Sequence, residues 1–132
     1  MSARQATCCC GQLRVNSRGE PVRVSVCHCL QCKRRTGSAF GYSAHYPREQ
    51  IVAIEGFSSK FTRKGDSGRD TTFHFCPQCG TTVYWEPGAH PERITVAVGA
   101  YADPEFQAPR HSVYETYKHT WVDVPADIQH LD

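Results

Sequence analysis

Residues 22–26, VRVSV, alternate strictly, so Val22, Val24 and Val26 fall on one face of an extended chain. The same period of two runs through AFGYSAHY (39–46), which aligns Phe40, Tyr42, Ala44 and Tyr46, and through TTFHF (71–75), which aligns Thr71, Phe73 and Phe75. Shorter runs, QLRVN, IVAI, SKFTR, TVYW and ITVAV, read as further strands. Between them lie Gly-rich and polar stretches, NSRGEP, EGFSS, KGDSGR and EPGAHPE, whose residues favour turns. Valine far outnumbers leucine, which also suits strands. Short strands punctuated in this way predict a mostly β, antiparallel domain with little helix. The helical expectations are a turn or two after Cys29 and a short piece at DPEFQAP (103–109). The closing VDVPADIQHLD is expected to be a loosely held tail. No repeat, linker or low-complexity segment divides the chain, and one domain over 1–132 is expected.

Composition changes this picture in one respect. Leu, Ile, Val and Phe make up only about 18% of the chain, a level at which disorder becomes a concern. A net charge of +2 is too small for a disordered chain, and 11% aromatic content argues for a packed interior. Something besides aliphatic burial must help hold the fold, and eight cysteines in 132 residues are the obvious candidates. The opening MSARQATCCCG has no apolar run of the kind a secretory signal carries, and no stretch approaches the length of a membrane span. The expectation is therefore a cytoplasmic protein with reduced thiols, whose clustered cysteines serve as metal ligands or catalysts rather than disulfides. Seven thiolates on two Zn²⁺ ions would turn the formal +2 into −1, which weakens any case for nucleic-acid binding from overall charge.

The cysteines fall into three groups. CPQCG (76–80) is the most specific: two cysteines two residues apart in a tight turn aim both sulfurs at one metal, with Pro77 setting the turn and Gly80 letting the chain leave it. A redox CxxC would open a helix in a βαβ pattern, whereas here strands flank the motif. In CCCG (8–11) an extended chain puts Cys8 and Cys10 on one face and Cys9 on the other. Cys8, Cys10, Cys76 and Cys79 then make a closed tetrahedral site of structural type, leaving Cys9 as a small hydrophobe. CHCLQC (27–32) supplies Cys27, Cys29 and Cys32, three thiolates with a fourth position free, as catalytic zinc sites have. His28 points to the opposite face if the strand continues, although it could close a Cys₃His site. Spacing alone also permits a Cys₄ site from Cys29, Cys32, Cys76 and Cys79, so the partition stays open on these grounds.

The order CxCG, then CHCLQCKRRTGSAF, then FCPQCGTTVYW, followed by ITVAVGAYADP (94–104), His111 and Trp121, resembles the glutathione-dependent formaldehyde-activating enzyme and centromere protein V family. The resemblance runs from about Cys8 to Trp121, with a core of about 7–122. It implies a small zinc-bound antiparallel β domain of the β-tent type. It also implies a structural zinc on Cys8, Cys10, Cys76 and Cys79 and a catalytic zinc on Cys27, Cys29 and Cys32, two Zn²⁺ in all. Cys9 departs from the family's CxC element by adding a third thiol.

The functional expectation is a carbon–sulfur lyase type enzyme that joins or separates a thiol and an aldehyde, with adducts such as S-hydroxymethylglutathione as substrate. A metal held by three thiolates is a weak Lewis acid, which favours activation of the substrate thiol. The competing class is a non-catalytic zinc-stabilised module that binds protein or nucleic acid through KRR (33–35). Lys33, Arg34 and Arg35 could instead attract the carboxylates of glutathione. Phe40, Tyr42 and Tyr46 are expected in the core, His74 at an ordinary strand position, and His111 is a candidate neighbour of the open zinc.

Overall fold

The computed structural model describes residues 2–65 and 68–131; Asp66 and Ser67, in the expected KGDSGR turn, lie outside them with Met1 and Asp132. Among the described residues two sheets form. The smaller joins β1 (Ala3–Thr7), β2 (Arg14–Arg18) and β5 (Ile51–Glu55) in the order β1-β2-β5, all antiparallel. The larger is built around β3 (Arg23–Cys27) and β4 (Gly41–Pro47). It continues through β9 (Arg93–Ala97), β8 (Thr82–Glu86), β7 (Asp70–Phe75) and β6 (Ser59–Lys64). On the other side of β3 lie β10 (His111–Val113) and β11 (Gln129–Leu131). The fold is mostly β, with a single α-helix, α1 (Leu30–Thr36), and three short 3₁₀ turns.

The eight segments read from alternation all carry a strand. Three further strands carry no such signal. β1 and β10 alternate weakly, and β11 falls in the expected tail: Gln129–Leu131 pairs with β10, so at least this part of VDVPADIQHLD is tied to the sheet. Both β10–β3 and β10–β11 are parallel, an exception to the antiparallel expectation. Long connections, from Val98 to Arg110 and from Tyr114 to Ile128, allow the chain to return in the same direction. DPEFQAP is a turn rather than a helix: Asp103 accepts from the Glu105 and Phe106 N–H groups through its side chain and carbonyl respectively.

Alternation puts the two faces of the larger sheet to different uses. Val24, Ala44, Tyr46, Val83, Ile94 and Val96 are buried against Ala6 and Val15 of the smaller sheet, Leu13 just before β2, and Tyr101 and Phe106. Val22, grouped with Val24 and Val26 by sequence, precedes β3 and is more than half exposed. The opposite face is polar where β3, β4 and β9 meet. Across the ladder Arg23 pairs with His45, Ser25 with Ser43, Cys27 with Gly41, and His45 with Thr95. No helix among the described residues is long and apolar enough to cross a membrane.

Candidate active site

All eight cysteines are free thiols, and seven gather in two groups. The first contains Cys8, Cys10, Cys76 and Cys79, whose sulfurs lie within 4.8 Å of one another. Cys8–Cys10 and Cys10–Cys76 separations are 3.5 and 3.6 Å. A tetrahedron with zinc–sulfur bonds of about 2.3 Å has edges of roughly 3.8 Å, whereas a disulfide is about 2.05 Å long. The spacing fits a four-thiolate metal site. Two tight turns present the sulfurs: Gly11 N–H donates to the Cys8 carbonyl, and Gly80 N–H to that of Cys76. Polar hydrogens surround them. Leu13 N–H donates to Cys8 Sγ at 3.3 Å, Gln78 N–H to Cys76 Sγ at 3.4 Å and Gln12 Nε2 to Cys76 Sγ at 3.0 Å. Hydrogen bonding from Thr81 brings the Cys79 thiol down to about 5. Such donors stabilise negative sulfur and orient it. Cys9 stays outside the group and is exposed rather than packed as a small hydrophobe; only its N–H is engaged, donating to Thr81 Oγ1.

Cys27, Cys29 and Cys32 form the second group, again with sulfurs within 4.8 Å. Cys27 ends β3. Cys29 caps α1, its Sγ accepting the Cys32 N–H at 3.3 Å, and Cys32 sits in the first turn. Hydrogen bonds from the Cys27 and Cys32 thiols hold Cys29 far below the ordinary thiol range. The helix ends at Gly37, in the left-handed conformation, whose N–H returns to the Lys33 carbonyl. Gly41, opposite Cys27, makes a close approach to α1: a Cβ there would lie 2.9 Å from Arg35 Nη2, the tip of a flexible side chain, and 3.3 Å from Cys32 Cβ. His28 turns away, as alternation implies. It is fully buried, its Nε2 lies 3.0 Å from Ser112 Oγ, and it packs edge-on to Phe40.

The trio lies between two clefts. Cys27 and Cys32 line one of about 400 Å³, together with Arg23, Ser25, Arg35, Ser43, His45, Trp85 and Tyr114. Cys29 lines the other, of about 420 Å³, with Arg34, Tyr114 and Tyr117. Tyr114 borders both with φ at 57°, an uncommon conformation for a bulky residue. In the first cleft Ser25 Oγ lies 3.2 Å from Ser43 Oγ and 3.5 Å from His45 Nε2, and His45 Nδ1 lies 3.1 Å from Thr95 Oγ1. Burial, aided by Arg23 and Arg93, pushes His45 down to about 3, so its ring is neutral at pH 7.

The basic run KRR does not act as one patch. Lys33 Nζ donates to the Tyr117 carbonyl, tying α1 to the loop after β10. Arg34 lines the second cleft, and Arg35 enters the first with its guanidinium 4.3 Å above the Trp85 ring. Tyr46 is fully buried in the core and Tyr42 packs against it, while Phe40 and Tyr42 also line two other clefts of about 490 and 260 Å³. His74 is a strand residue stacked on Tyr84 and 3.0 Å from Glu86 Oε2. His111 lies beside Ser25 in the ladder and outside the cysteine trio. Arg23, Ser25, Ser43 and His45 are the cleft residues that sequence reasoning missed. A signal for the first two was present: if Val24 and Val26 face the core, Arg23 and Ser25 share the Cys27 face.

A family model described as glutathione-dependent formaldehyde-activating enzyme matches residues 3–117. Among solved structures, a Rhodobacter sphaeroides protein determined by crystallography in a structural genomics programme is similar, with a TM-score of 0.57 and 20% identity. The match covers 80% of this chain and 92% of that one, and it concerns the fold alone. No curated protein matches significantly.

Proposed function

The chain belongs to the glutathione-dependent formaldehyde-activating enzyme family, and from that premise we propose that it is a zinc-dependent carbon–sulfur lyase type enzyme acting on thiol–aldehyde adducts such as S-hydroxymethylglutathione. The observation that carries this reading is the contrast between four sulfurs in one group and three in the other, the latter at the edge of a cleft. Cys8, Cys10, Cys76 and Cys79 would hold a structural zinc with every position filled, and Cys27, Cys29 and Cys32 a second zinc with one position open. When bound, the second ion supplies a position for an exogenous sulfur and a positive charge that favours its thiolate form near neutral pH. In the overall reaction a thiol S–H adds across an aldehyde C=O: the C–S bond forms and the proton ends on the former carbonyl oxygen. The reverse direction breaks the same bond.

The surrounding residues serve that chemistry in stated ways. The N-cap geometry of Cys29 and the Gly41 contact fix the three sulfurs relative to one another. Arg35, laid on Trp85, brings positive charge beside a trio that is net negative when ionised. Ser25, Ser43 and neutral His45 form a linked set of hydroxyl and imidazole groups able to hydrogen-bond a carbonyl or hydroxyl oxygen without carrying charge. A reducing cytoplasmic setting with abundant small thiols suits this reading.

Elemental analysis of protein purified reduced and without chelators should give two zinc ions per chain. Zinc-edge X-ray absorption should fit one S₄ site and one S₃ site with an exchangeable fourth ligand. Zinc-free protein, or two coordinatively closed sites, would overturn the assignment. Adduct formation and cleavage, followed over a panel of thiol–aldehyde pairs, tests the enzyme claim directly.

A further inference from the structure

Arg23 is the anomaly of the first cleft. Its Nε is buried without a hydrogen-bond partner, and the residue makes no ion pair among the described residues. Burial and the nearby Arg93 work against its charge, and among the described residues no acidic side chain lines the cleft beside it; Arg35 is the other fixed cation there. Arg35 is already laid on an aromatic ring, whereas Arg23 has no hydrogen-bonded partner at Nε and only the more distant charge of Cys27, when ionised, in its favour. Leaving a guanidinium partly desolvated and unanswered is costly, and an anion in the cleft would remove that cost.

Geometry says where the anion belongs. Arg23 and Cys27 lie on the same strand face, four residues or about 13 Å apart at Cα for roughly 3.3 Å per residue. Cys27 and Cys32 close one end of the cleft, Ser25 and Ser43 line its middle, and Arg23 and His45 sit across from each other beyond them. A molecule lying in it with sulfur at the cysteine end would extend toward the guanidinium. We propose that Arg23 is a specificity-determining residue that takes the carboxylate of a thiol substrate, so that the cleft selects thiols carrying a carboxylate several bonds from sulfur. The inference rests on the proposed open thiol site at Cys27, Cys29 and Cys32. It assigns carboxylate recognition to a strand residue upstream of the cysteines rather than to the KRR run.

The test uses the full chain loaded with Co²⁺, whose thiolate charge-transfer absorption reports sulfur entering the metal site. The probes are mercaptohexanoate and mercaptohexanol, matched in length and differing in the terminal group, with mercaptoacetate as the short acid. Mercaptohexanoate should bind on the order of ten- to a hundredfold more tightly than the alcohol, as expected for hydrogen bonds to a charged group. Arg23→Gln should bring that preference close to unity, and Arg23→Lys should keep part of it. Mercaptoacetate, too short to span the cleft, should show little dependence on Arg23. Equal binding of the acid and the alcohol by the unaltered protein would overturn the proposal while leaving the thiol site standing, and this arm does not depend on a variant folding. A preference that survives in Arg23→Gln would also overturn it. No spectral response to any thiol would overturn the thiol site and the proposal with it.

Discussion

The two cysteine groups use similar local devices to different ends. The quartet joins Cys8 and Cys10, brought together by a tight turn, to the CxxC pair Cys76 and Cys79, whereas the trio takes Cys27 and Cys29 from the extended end of β3 and shares Cys29 with the CxxC pair Cys29 and Cys32. The quartet bridges distant parts of the chain: Cys10 and Cys76 are 66 residues apart and their sulfurs 3.6 Å. The trio is confined to six consecutive residues and crosslinks nothing that β3 and α1 do not already join. Cys8 and Cys76 are buried in the core cluster, whereas all three members of the trio are partly exposed beside clefts. On the proposed reading a metal in the quartet would therefore contribute to folding, and a metal in the trio would be placed for exchange with solvent.

The strongest way to break that comparison is to remove one sulfur from each group. Cys79 is the better target in the quartet because it is exposed, so its loss is a loss of ligation rather than of packing. Structural zinc contributes on the order of 10 kcal/mol in small zinc domains, comparable with the total stability of a domain of about 5–15 kcal/mol. Cys79→Ala should be unfolded or insoluble, as read by circular dichroism and yield. Cys29→Ala should remain folded and carry one zinc. Equal behaviour of the two variants would dissolve the distinction.

A smaller effect concerns the polar face beside the trio. His45 titrates near 3 in the folded protein against about 6.5 when unfolded. Its contribution is fully present above about 6.5 and is lost as pH falls toward 3, because the unfolded chain takes up the proton first. The loss is at most about 5 kcal/mol. Chemical denaturation of zinc-loaded protein between pH 7 and pH 5 should show a steeper decline in the unaltered chain than in His45→Asn. Parallel slopes would contradict the burial assigned to His45, since acid release of zinc affects both proteins alike.

Gly41→Ala sharpens the comparison at its narrowest point. The added methyl meets the tip of the Arg35 side chain at 2.9 Å and Cys32 Cβ at 3.3 Å, so the guanidinium must swing aside and Cys32 must give by a few tenths of an ångström, a cost at the low end of the about 1–3 kcal/mol for overpacking. Zinc content should fall from two toward one per chain while the fold survives. Retention of both zincs with unchanged stability would show that the trio tolerates displacement of Cys32. The smallest effect is expected at Cys9, whose side chain is exposed and whose N–H alone is engaged. Cys9→Ser should keep both metals and shift stability by less than about 0.5 kcal/mol.

Alternation and turn chemistry made much of this molecule legible in advance. The period of two located eight strands, and it separated Cys27 and Cys29 from His28, because successive side chains on a strand must point to opposite faces; Cys8 and Cys10 meet without Cys9 through a tight turn closed by Gly11 N–H on the Cys8 carbonyl, not through the expected extended chain. The motifs CPQC and CHCLQC brought into view the cysteines that gather into two groups able to hold a metal, and the order of motifs pointed to the family. These are local properties, set by the backbone within a few residues of the side chain concerned.

Other features depended on segments that meet only in three dimensions. The strand β10 joins β3 across more than eighty residues in parallel, with no alternation of its own to announce it. The closing residues acquired a strand because β10 offered them an edge. KRR looked like one basic patch, yet a turn of helix sends Lys33 to a backbone carbonyl and Arg35 onto Trp85, which comes from a strand some fifty residues later. Arg23 could be assigned to the Cys27 face from sequence. That no carboxylate among the described residues comes to meet it could not, because the absence of a partner is a property of every neighbour the fold assembles around it, and only the tertiary structure decides who those neighbours are.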